Sequence, residues 1–308
     1  MQADAAQTLS YRGRFAPSPT GPLHQGSLLA AVASYLDAKA HKGKWLVRIE
    51  DIDPLREIPH AASAILKSLD AHGLHWDESV VYQSQRQVLY QDVLATLAAC
   101  GSTYTCACSR SELEVSAGRH QRTCGIHGAS QQSPPFAVRF RVPHQTGKFE
   151  DCIQGAVPYT LHSGTDDFVL QRKEGFYAYQ LAVTADDREQ GITHVIRGLD
   201  LLHSTPLQRL IFQSLHHNPP EYGHFLLLTD AKGRKLSKQT HARPVDDQQP
   251  MKTLYHVLLA LGIQRQEIDQ ASTIQELLEA GIQGWNRENI AAKTNLVEAD
   301  YWHAEGKA

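Results

Sequence analysis

Two widely separated segments carry side chains suited to polyphosphate chemistry. His24-Gln25-Gly26-Ser27 follows a stretch rich in Pro, Gly and Ser, Ala16-Pro17-Ser18-Pro19-Thr20-Gly21-Pro22. Tyr11 to Arg14 reads as a short strand before it, and Leu28, Leu29, Val32, Tyr35 and Leu36 recur at helical spacing after it. A strand, a tight Gly-containing loop and a helix N-terminus collect unpaired backbone N–H groups and the positive end of a helix dipole at one point, which suits a phosphate. His24 adds a donor there. Taken alone, such a loop is an ordinary β-to-α connection. Far downstream, Lys235-Leu236-Ser237-Lys238 follows a buried-strand candidate, Phe225-Leu226-Leu227-Leu228, and a turn over 230–233. Two lysines on such a loop could neutralise a departing polyphosphate, although an isolated basic loop is usually only solvated.

A second set of residues suits a small charged substrate. Lys44 to Glu50 reads as a strand, and its exit, Glu50-Asp51-Ile52-Asp53-Pro54, puts acids at the carboxyl end of that strand. Open α/β sheets bind ligands at this edge. Glu50 there could hold an ammonium, or could simply belong to a polar loop. Tyr179 and Arg197 fall near the ends of later elements, and the planar fork of arginine fits a carboxylate.

A third set suits a metal. Cys106, Cys108, His120 and Cys124 offer thiolate and imidazole ligands for one tetrahedral zinc ion, with His127 a rival fourth ligand. Four protein ligands leave no open position, so such a metal would be structural, and residues 109–135 have few apolar groups with which to build a core. Cys100 and Cys152 read as inert small hydrophobes.

The elements that must position these residues alternate between strand and helix. Strand, helix and strand by residue 50 imply a right-handed βαβ unit and a parallel sheet. Helices are expected over 59–73, with Ala61, Ile65, Leu66 and Leu69 inward, and over 85–100, with Val88, Leu89, Val93, Leu94 and Leu97 inward. Residues 136–162 read as a β-containing insertion outside the parallel sheet. The α/β pattern resumes at 167–172, with a helix growing out of 175–183, a strand at 194–198 and a helix at 201–215. Beyond 240 come amphipathic helices, one carrying Leu254, Val257, Leu258 and Leu261, another Ile274, Leu277 and Leu278.

Composition narrows the class. The 308 residues are 42% hydrophobic and 20% charged, as in a soluble globular protein. No run of 18 apolar residues suggests a membrane span, and Met1 to Ala5 lacks the character of a secretory signal. A cytoplasmic enzyme is expected. A net charge of −3 gives no general attraction for nucleic acid, so any RNA contact must use a local patch.

His24-x-Gly26 followed by Lys235-Leu236-Ser237-Lys238-Gln239 resembles the HIGH-like and KMSKS-like pair of class I aminoacyl-tRNA synthetases. Either motif alone is weak; the ordered pair is specific. Arg14 to Gly21 and Arg48-Ile49-Glu50-Asp51-Ile52-Asp53 resemble the glutamyl branch. The resemblance spans about residues 11–240. Only 70 residues follow Lys238, too few for the long helical anticodon-binding region of glutamyl-tRNA synthetases. That truncation, together with the Cys-x-Cys, His, Cys insertion, looks like the glutamyl-queuosine tRNA(Asp) synthetases. In that family a Tyr often stands where His120 stands here, and His is the better zinc ligand.

This resemblance implies an α/β fold with a Rossmann-like parallel sheet, a zinc-bearing insertion and a short helical C-terminal region. It divides the chain into a first catalytic half (1–105), the insertion (106–165), a second catalytic half with the KMSKS-like loop (166–240) and C-terminal helices (241–308). It implies a glutamate pocket of Arg14, Ala16, Ser18, Glu50, Tyr179 and Arg197. ATP would be held by His24, Gly26, Ser27, Lys235, Ser237 and Lys238, with Mg²⁺ accompanying it, and His24, Gly26, Lys235 and Lys238 would be catalytic. The partners implied are ATP, L-glutamate and tRNA(Asp) bearing queuosine, with no membrane and no protein partner inferred. Ser27 replaces the last His of the HIGH pattern; its hydroxyl can still donate to phosphate. Three rival readings share these residues: a short glutamyl-tRNA synthetase, a small-acid nucleotidyltransferase of the same superfamily, and an inactive tRNA-binding paralogue. The intact lysine pair and the full glutamate set argue against the last.

Overall fold

A computed structural model describes residues 10–108, 112, 135–225, 228–229, 244–291 and 296–297. The chain opens with strand β1 (Arg12–Phe15), helix α1 (Gln25–Ala40) and strand β2 (Lys44–Ile49). β1 and β2 pair in parallel, Arg14 opposite Leu46, and β3 (Val81–Tyr82) extends the sheet beyond β2, also in parallel. Helices α2 (Ala61–Ala71) and α3 (Gln87–Ala99) flank β3 in sequence. In α3 the inward face includes Tyr90, Val93 and Leu97, while Val88, expected inside, is 72% exposed. The Tyr90 hydroxyl reaches a buried carboxylate, Asp186, at 2.9 Å, so the inward face is not purely apolar. Cys100, at the end of α3, is exposed rather than packed as a small hydrophobe.

Next come β4 (Thr103–Cys106), β5 (Ala137–Phe140), the hairpin β6 (Gln145–Asp151) and β7 (Gly155–Leu161), and β8 (Phe168–Gln171). β4, β5 and β8 form a separate antiparallel sheet. β8, which the alternating pattern assigns to the resumed α/β unit, is therefore a strand of this sheet. The rest of the α/β pattern follows as helix α4 (Tyr179–Glu189), β9 (His194–Gly198), α5 (Ser204–Ser214), β10 (Glu221–Phe225) and β11 (Leu228–Thr229). β9 and β10 pair in parallel over five residues. β10 also meets β6 in parallel at Tyr222 and Asp151, so the hairpin attaches to the edge of this sheet instead of standing wholly outside it. Of the strand expected at 225–228, Phe225 ends β10 and Leu228 begins β11, residues 226 and 227 lie outside the described residues, and the part the expectation did not include is the start of β10, at Glu221. Its Glu-Tyr-Gly-His composition hides it, because Tyr222 and His224 are buried by partners remote in sequence.

The two parallel sheets meet where β9 runs beside β1. The Thr193 N–H donates to the Arg12 carbonyl at 2.9 Å, and the Arg12 N–H donates to Thr193 Oγ1 at 2.8 Å. α1 packs on both strands. Its other side is covered by the C-terminal helices α6 (Pro250–Ala260) and α8 (Ile274–Gln283), between which lies the short α7 (Arg265–Ile268). Leu28, Leu29, Val32 and Leu36 of α1 share one apolar cluster with Leu254, Val257, Leu258, Leu277 and Leu278, so these apolar stripes face the core. Close approach depends on Gly281, where an added Cβ would lie 2.8 Å from a Leu258 methyl. α9 (Arg287–Ala291) and β12 (Leu296–Val297, paired with β11) end the described chain. Asp37 of α1, fully buried, accepts hydrogen bonds from Trp285 Nε1 at 2.9 Å, from Arg287 Nε at 2.7 Å and Nη2 at 2.8 Å, and from the Tyr11 hydroxyl. Among the described residues, no helix is long and apolar enough to cross a membrane.

Candidate active site

A cavity of about 600 Å³ opens at the carboxyl ends of β1, β2 and β9, bounded by the N-terminus of α1. The structure brings Arg14, Ala16, Ser18, His24, Gly26, Ser27, Glu50, Tyr179 and Arg197 together on its walls. Nine residues spread over 183 positions thus converge on one space, because each sits at the same edge of the parallel sheet or on the first turn of a helix.

The loop after β1 is built to present α1. Gly21 adopts φ 135°, which side-chain-bearing residues avoid. His24 caps the helix, its Nδ1 accepting the Ser27 N–H at 3.1 Å. That bond puts the ring proton on Nε2, which faces Ser27 Oγ at 3.0 Å. Capping is a duty the expected phosphate role did not include. The first turn of α1 carries no acidic residue, so the positive end of the helix dipole faces the cavity unopposed. The Glu50 N–H donates to the Pro17 carbonyl at 2.9 Å, tying the end of β2 to this loop.

Behind the loop lies a buried ionic network. Arg14 donates to both oxygens of Asp187 on α4, Nε–Oδ1 3.2 Å and Nη2–Oδ2 3.4 Å. Arg48, fully buried on β2, reaches the same carboxylate at 2.8 Å, Glu50 at 3.6 Å and Asp186 at 3.5 Å. Asp186 also accepts from Gln83, Arg86 and Tyr90. Asp187 is held below the usual carboxylate range: burial opposes its charge, and Arg14 and Arg48 outweigh that. Glu50 goes the other way. Burial pushes its carboxyl up to about 7, and Asp187 and Asp186 add to the rise against the pull of Arg48 and Arg14. Its Oε1 is buried with no hydrogen-bond partner. Its ion-pair neighbour, Arg48 Nη2, stands 3.6 Å away, beyond hydrogen-bonding distance, so this oxygen at the cavity wall keeps an acceptor site for a substrate cation.

Arg197 also lines the cavity, from β9. It is 4% exposed and donates to His224 Nε2 (2.9 Å), Gln208 Oε1 (2.9 Å), Thr205 Oγ1 (2.8 Å) and the Leu201 carbonyl (3.3 Å), with its guanidinium 5.0 Å above the Tyr222 ring. Tyr179 is the first residue of α4, and burial raises its hydroxyl pKa.

Sequence reasoning missed Arg48, Asp186, Asp187 and His224. Their signal was present: Arg48 interrupts Trp45-Leu46-Val47, and Asp186-Asp187 follows Leu181-Ala182-Val183 within a helix whose inner face buries both. Charges inside otherwise apolar runs need partners. Arg56 and Asp200 also line the cavity and were not singled out. Lys235, Ser237 and Lys238 lie outside the described residues, but the chain on either side of them is at the site. Phe225 lines the cavity, Pro244 forms a β-bridge with His24, and the Val245 N–H donates to the Leu23 carbonyl at 2.9 Å. Cys106 ends β4 and is buried, and Cys108 is half-buried two residues on; His120, Cys124 and His127 lie outside the described residues. Among the described residues, no group of three or more His, Cys, Asp or Glu could hold a metal ion.

The sequence and the fold have counterparts in known proteins. Residues 10–296 match the catalytic domain of class I tRNA synthetases (E and Q). A glutamyl-Q tRNA(Asp) synthetase of Neisseria meningitidis is 46% identical over 91% of this chain and 97% of its own length. Another, from Vibrio cholerae, is 41% identical over 92% of this chain and 93% of its own. The chain belongs to the glutamyl-Q tRNA(Asp) synthetase family. Its catalytic unit is the α/β, parallel-sheet domain of class I tRNA synthetases, and as a member of that family it is a ligase of the aminoacyl-tRNA synthetase type. A glutamyl-Q tRNA(Asp) synthetase of Idiomarina loihiensis is 42% identical over 96% of this chain and 100% of its own length. Among solved structures, the glutamate-tRNA synthetase of Elizabethkingia anophelis superposes with a TM-score of 0.76 at 25% identity, over 94% of this chain and 68% of the other. A glutamate tRNA ligase of Elizabethkingia meningosepticum, solved with its amino acid, gives the same TM-score at 26% identity, over 94% and 67%.

Proposed function

We propose that the chain activates L-glutamate with ATP, without needing tRNA, and transfers the glutamyl group to the queuosine base in the anticodon loop of tRNA(Asp). The observation that carries this reading is the meeting of Arg14, Glu50, Tyr179 and Arg197 in one cavity at the N-terminus of α1. Glutamate has two carboxylates and one ammonium; two arginines and one carboxylate with an acceptor oxygen free of hydrogen bonds are the complementary set. The names of the relatives supply the acceptor.

In the first step a glutamate α-carboxylate oxygen attacks the α-phosphorus of ATP. A new O–P bond forms, the α–β bridging P–O bond breaks, and pyrophosphate leaves. The protein's contribution is positioning and charge stabilisation. Backbone N–H groups at Gly26 and Ser27 would face the phosphates, with His24 holding that turn and offering its Nε2–H. Lys235, Ser237 and Lys238 would stabilise the departing pyrophosphate, and the Mg²⁺ that accompanies ATP would share its charge. Ala16 and Ser18 would line the amino-acid side. In the second step a hydroxyl of the queuosine cyclopentene ring attacks the activated carbonyl, giving an ester and releasing AMP. This reaction, on ATP and tRNA, belongs in the cytoplasm.

The same reading keeps a structural zinc held by Cys106, Cys108, His120 and Cys124, in an insertion between two catalytic halves. The donor set fits: Cys106 ends β4 and Cys108 follows two residues on, and thiolates suit zinc. The ion would hold the insertion together and take no part in the chemistry.

The test is glutamate-dependent ATP–pyrophosphate exchange without tRNA, followed by transfer of labelled glutamate to tRNA(Asp) with and without queuosine. Exchange with queuosine-dependent transfer is expected. Transfer that ignores queuosine would instead identify a short glutamyl-tRNA synthetase, the reading that the likeness to solved glutamate-tRNA synthetases favours. Exchange without transfer points to a small-acid enzyme, and no exchange overturns the reading altogether.

A further inference from the structure

Arg197 is oriented by a chain of buried side chains that the proposed reaction does not touch. We propose that Asp151 and His224 form a positioning relay that fixes the Arg197 guanidinium and so sets the affinity for glutamate. The proposal rests on the reading that Arg197 receives a glutamate carboxylate.

Each link of the relay allows one donor direction. Arginine stays protonated, so its Nε–H donates to His224 Nε2 at 2.9 Å, and that nitrogen must be bare. The imidazole proton therefore sits on Nδ1 and is donated to Asp151 Oδ2 at 2.5 Å. The other oxygen, Asp151 Oδ1, accepts three backbone N–H groups, from Ile153 (3.0 Å), Gln154 (2.9 Å) and His224 itself (3.0 Å). Gln154 Nε2 then donates to the His224 carbonyl at 2.6 Å. The hairpin thus grips His224 through both its backbone and its ring.

The arrangement differs from that of an arginine buried only for structure. Arg14 is neutralised directly by Asp187. Arg197 has no carboxylate within ion-pair distance among the described residues; its hydrogen-bond acceptors are all neutral, and the Asp151 carboxylate stands one imidazole away. A cation 4% exposed at a cavity wall with only neutral acceptors is prepared for an anion from outside. The groups facing His224 are Asp151 from β6, Arg197 from β9, Asp200 from the turn after β9, the Thr205 hydroxyl from α5 (3.2 Å) and Tyr222 on its own strand. Burial lowers the imidazole pKa, and the Arg197 charge adds to that against the pull of Asp151, which agrees with the neutral ring the geometry demands. Protonating His224 would set two donors face to face.

The experiment measures KM for glutamate and for ATP in the exchange assay, on the full chain, for the parent, R197A, H224Q and H224F, each checked for folding by circular dichroism. Gln can place an oxygen where Nε2 stands; Phe fills the space without an acceptor. The relay requires that R197A and H224F raise the glutamate KM, H224F by roughly tenfold or more, the scale of one buried donor left without its acceptor. H224Q should stay near the parent, and the ATP KM should hold in both His224 variants. As pH falls, the Glu50 titration raises the glutamate KM in parent and H224Q alike; the parent's should climb further than H224Q's in acid, because only the parent gains an imidazolium facing Arg197. Should H224F fail to fold, this pH comparison decides. Equal KM values for H224Q and H224F, whether raised or unchanged, overturn the relay while leaving the role of Arg197 standing. An R197A glutamate KM equal to the parent's overturns the underlying pocket reading, and the relay falls with it.

Discussion

Arg14 on β1 and Asp187 on α4 are 173 residues apart in the chain, yet the guanidinium Nε lies 3.2 Å from the carboxylate Oδ1. Both side chains are buried, and Arg48 reaches the same carboxylate at 2.8 Å. One aspartate on α4 therefore anchors two arginines, one on β1 and one on β2. D187N should leave both arginines short of compensation, at a cost of about 3–5 kcal/mol, the usual result of removing one partner of a buried pair. Urea unfolding checks this: the midpoint should fall with the slope unchanged, and a loss under about 1 kcal/mol would mean the network contributes little beyond packing.

Glu50 makes the glutamate reaction pH-dependent. Burial raises its carboxyl to about 7, and an ammonium binds only the ionised form. The KM for glutamate should fall as pH rises through 7 and then level off, and E50Q should bind glutamate poorly at every pH. Stability carries the opposite sign. A group whose pKa is raised on folding favours the folded state below its unfolded value and loses that contribution as pH climbs through the folded one. E50Q should therefore melt above the parent at pH 8, with the gap closing toward pH 5. A flat gap would show that Glu50 is not the group responsible.

Lys238 is the stronger of the two lysine assignments. K238A should keep the parent's melting temperature and lose roughly 10²–10³ in exchange rate, the effect of removing one preorganised donor to developing charge. Exchange at the parental rate would remove Lys238 from the mechanism.

Zinc content tests the insertion. The parent should carry one zinc per chain and C106S should lose it, together with thermal stability, since a structural zinc supplies roughly 10–16 kcal/mol of apparent binding free energy. Metal analysis giving equal zinc in both would discard the ligand set.

Arg287 secures the C-terminal helices to α1 through Asp37. Burial raises the cost of the Asp37 charge, but the Arg287 bonds outweigh it and hold the carboxyl below its ordinary range. Its contribution to stability is present above the unfolded value, near 3.8, and disappears as pH falls through the folded one. R287A should lose about 2–3 kcal/mol at pH 7, and the difference from the parent should narrow in strong acid. Equal urea midpoints at pH 7 would show that the apolar packing of α6 and α8 suffices.

What the sequence determined by itself was local and ordered along the chain. The turn at 16–23, the helix start after it, the first strand-helix-strand unit and the two signature motifs rest on spacing and turn chemistry, which act over a few residues. They led to a synthetase of the glutamyl branch, and the family comparison agrees. Tertiary structure alone decided how charge is shared among the site's side chains. Arg14 and Arg197 look equivalent as letters; one is neutralised by Asp187 and the other faces the cavity with neutral neighbours. It also decided that β10 lies at 221–225, that β8 joins an antiparallel sheet, and that the late helices cover α1. These outcomes depend on contacts between segments distant in the chain. The energy of a buried charge is set by whichever partners the fold brings within hydrogen-bonding reach, and periodicity within one segment carries no record of them.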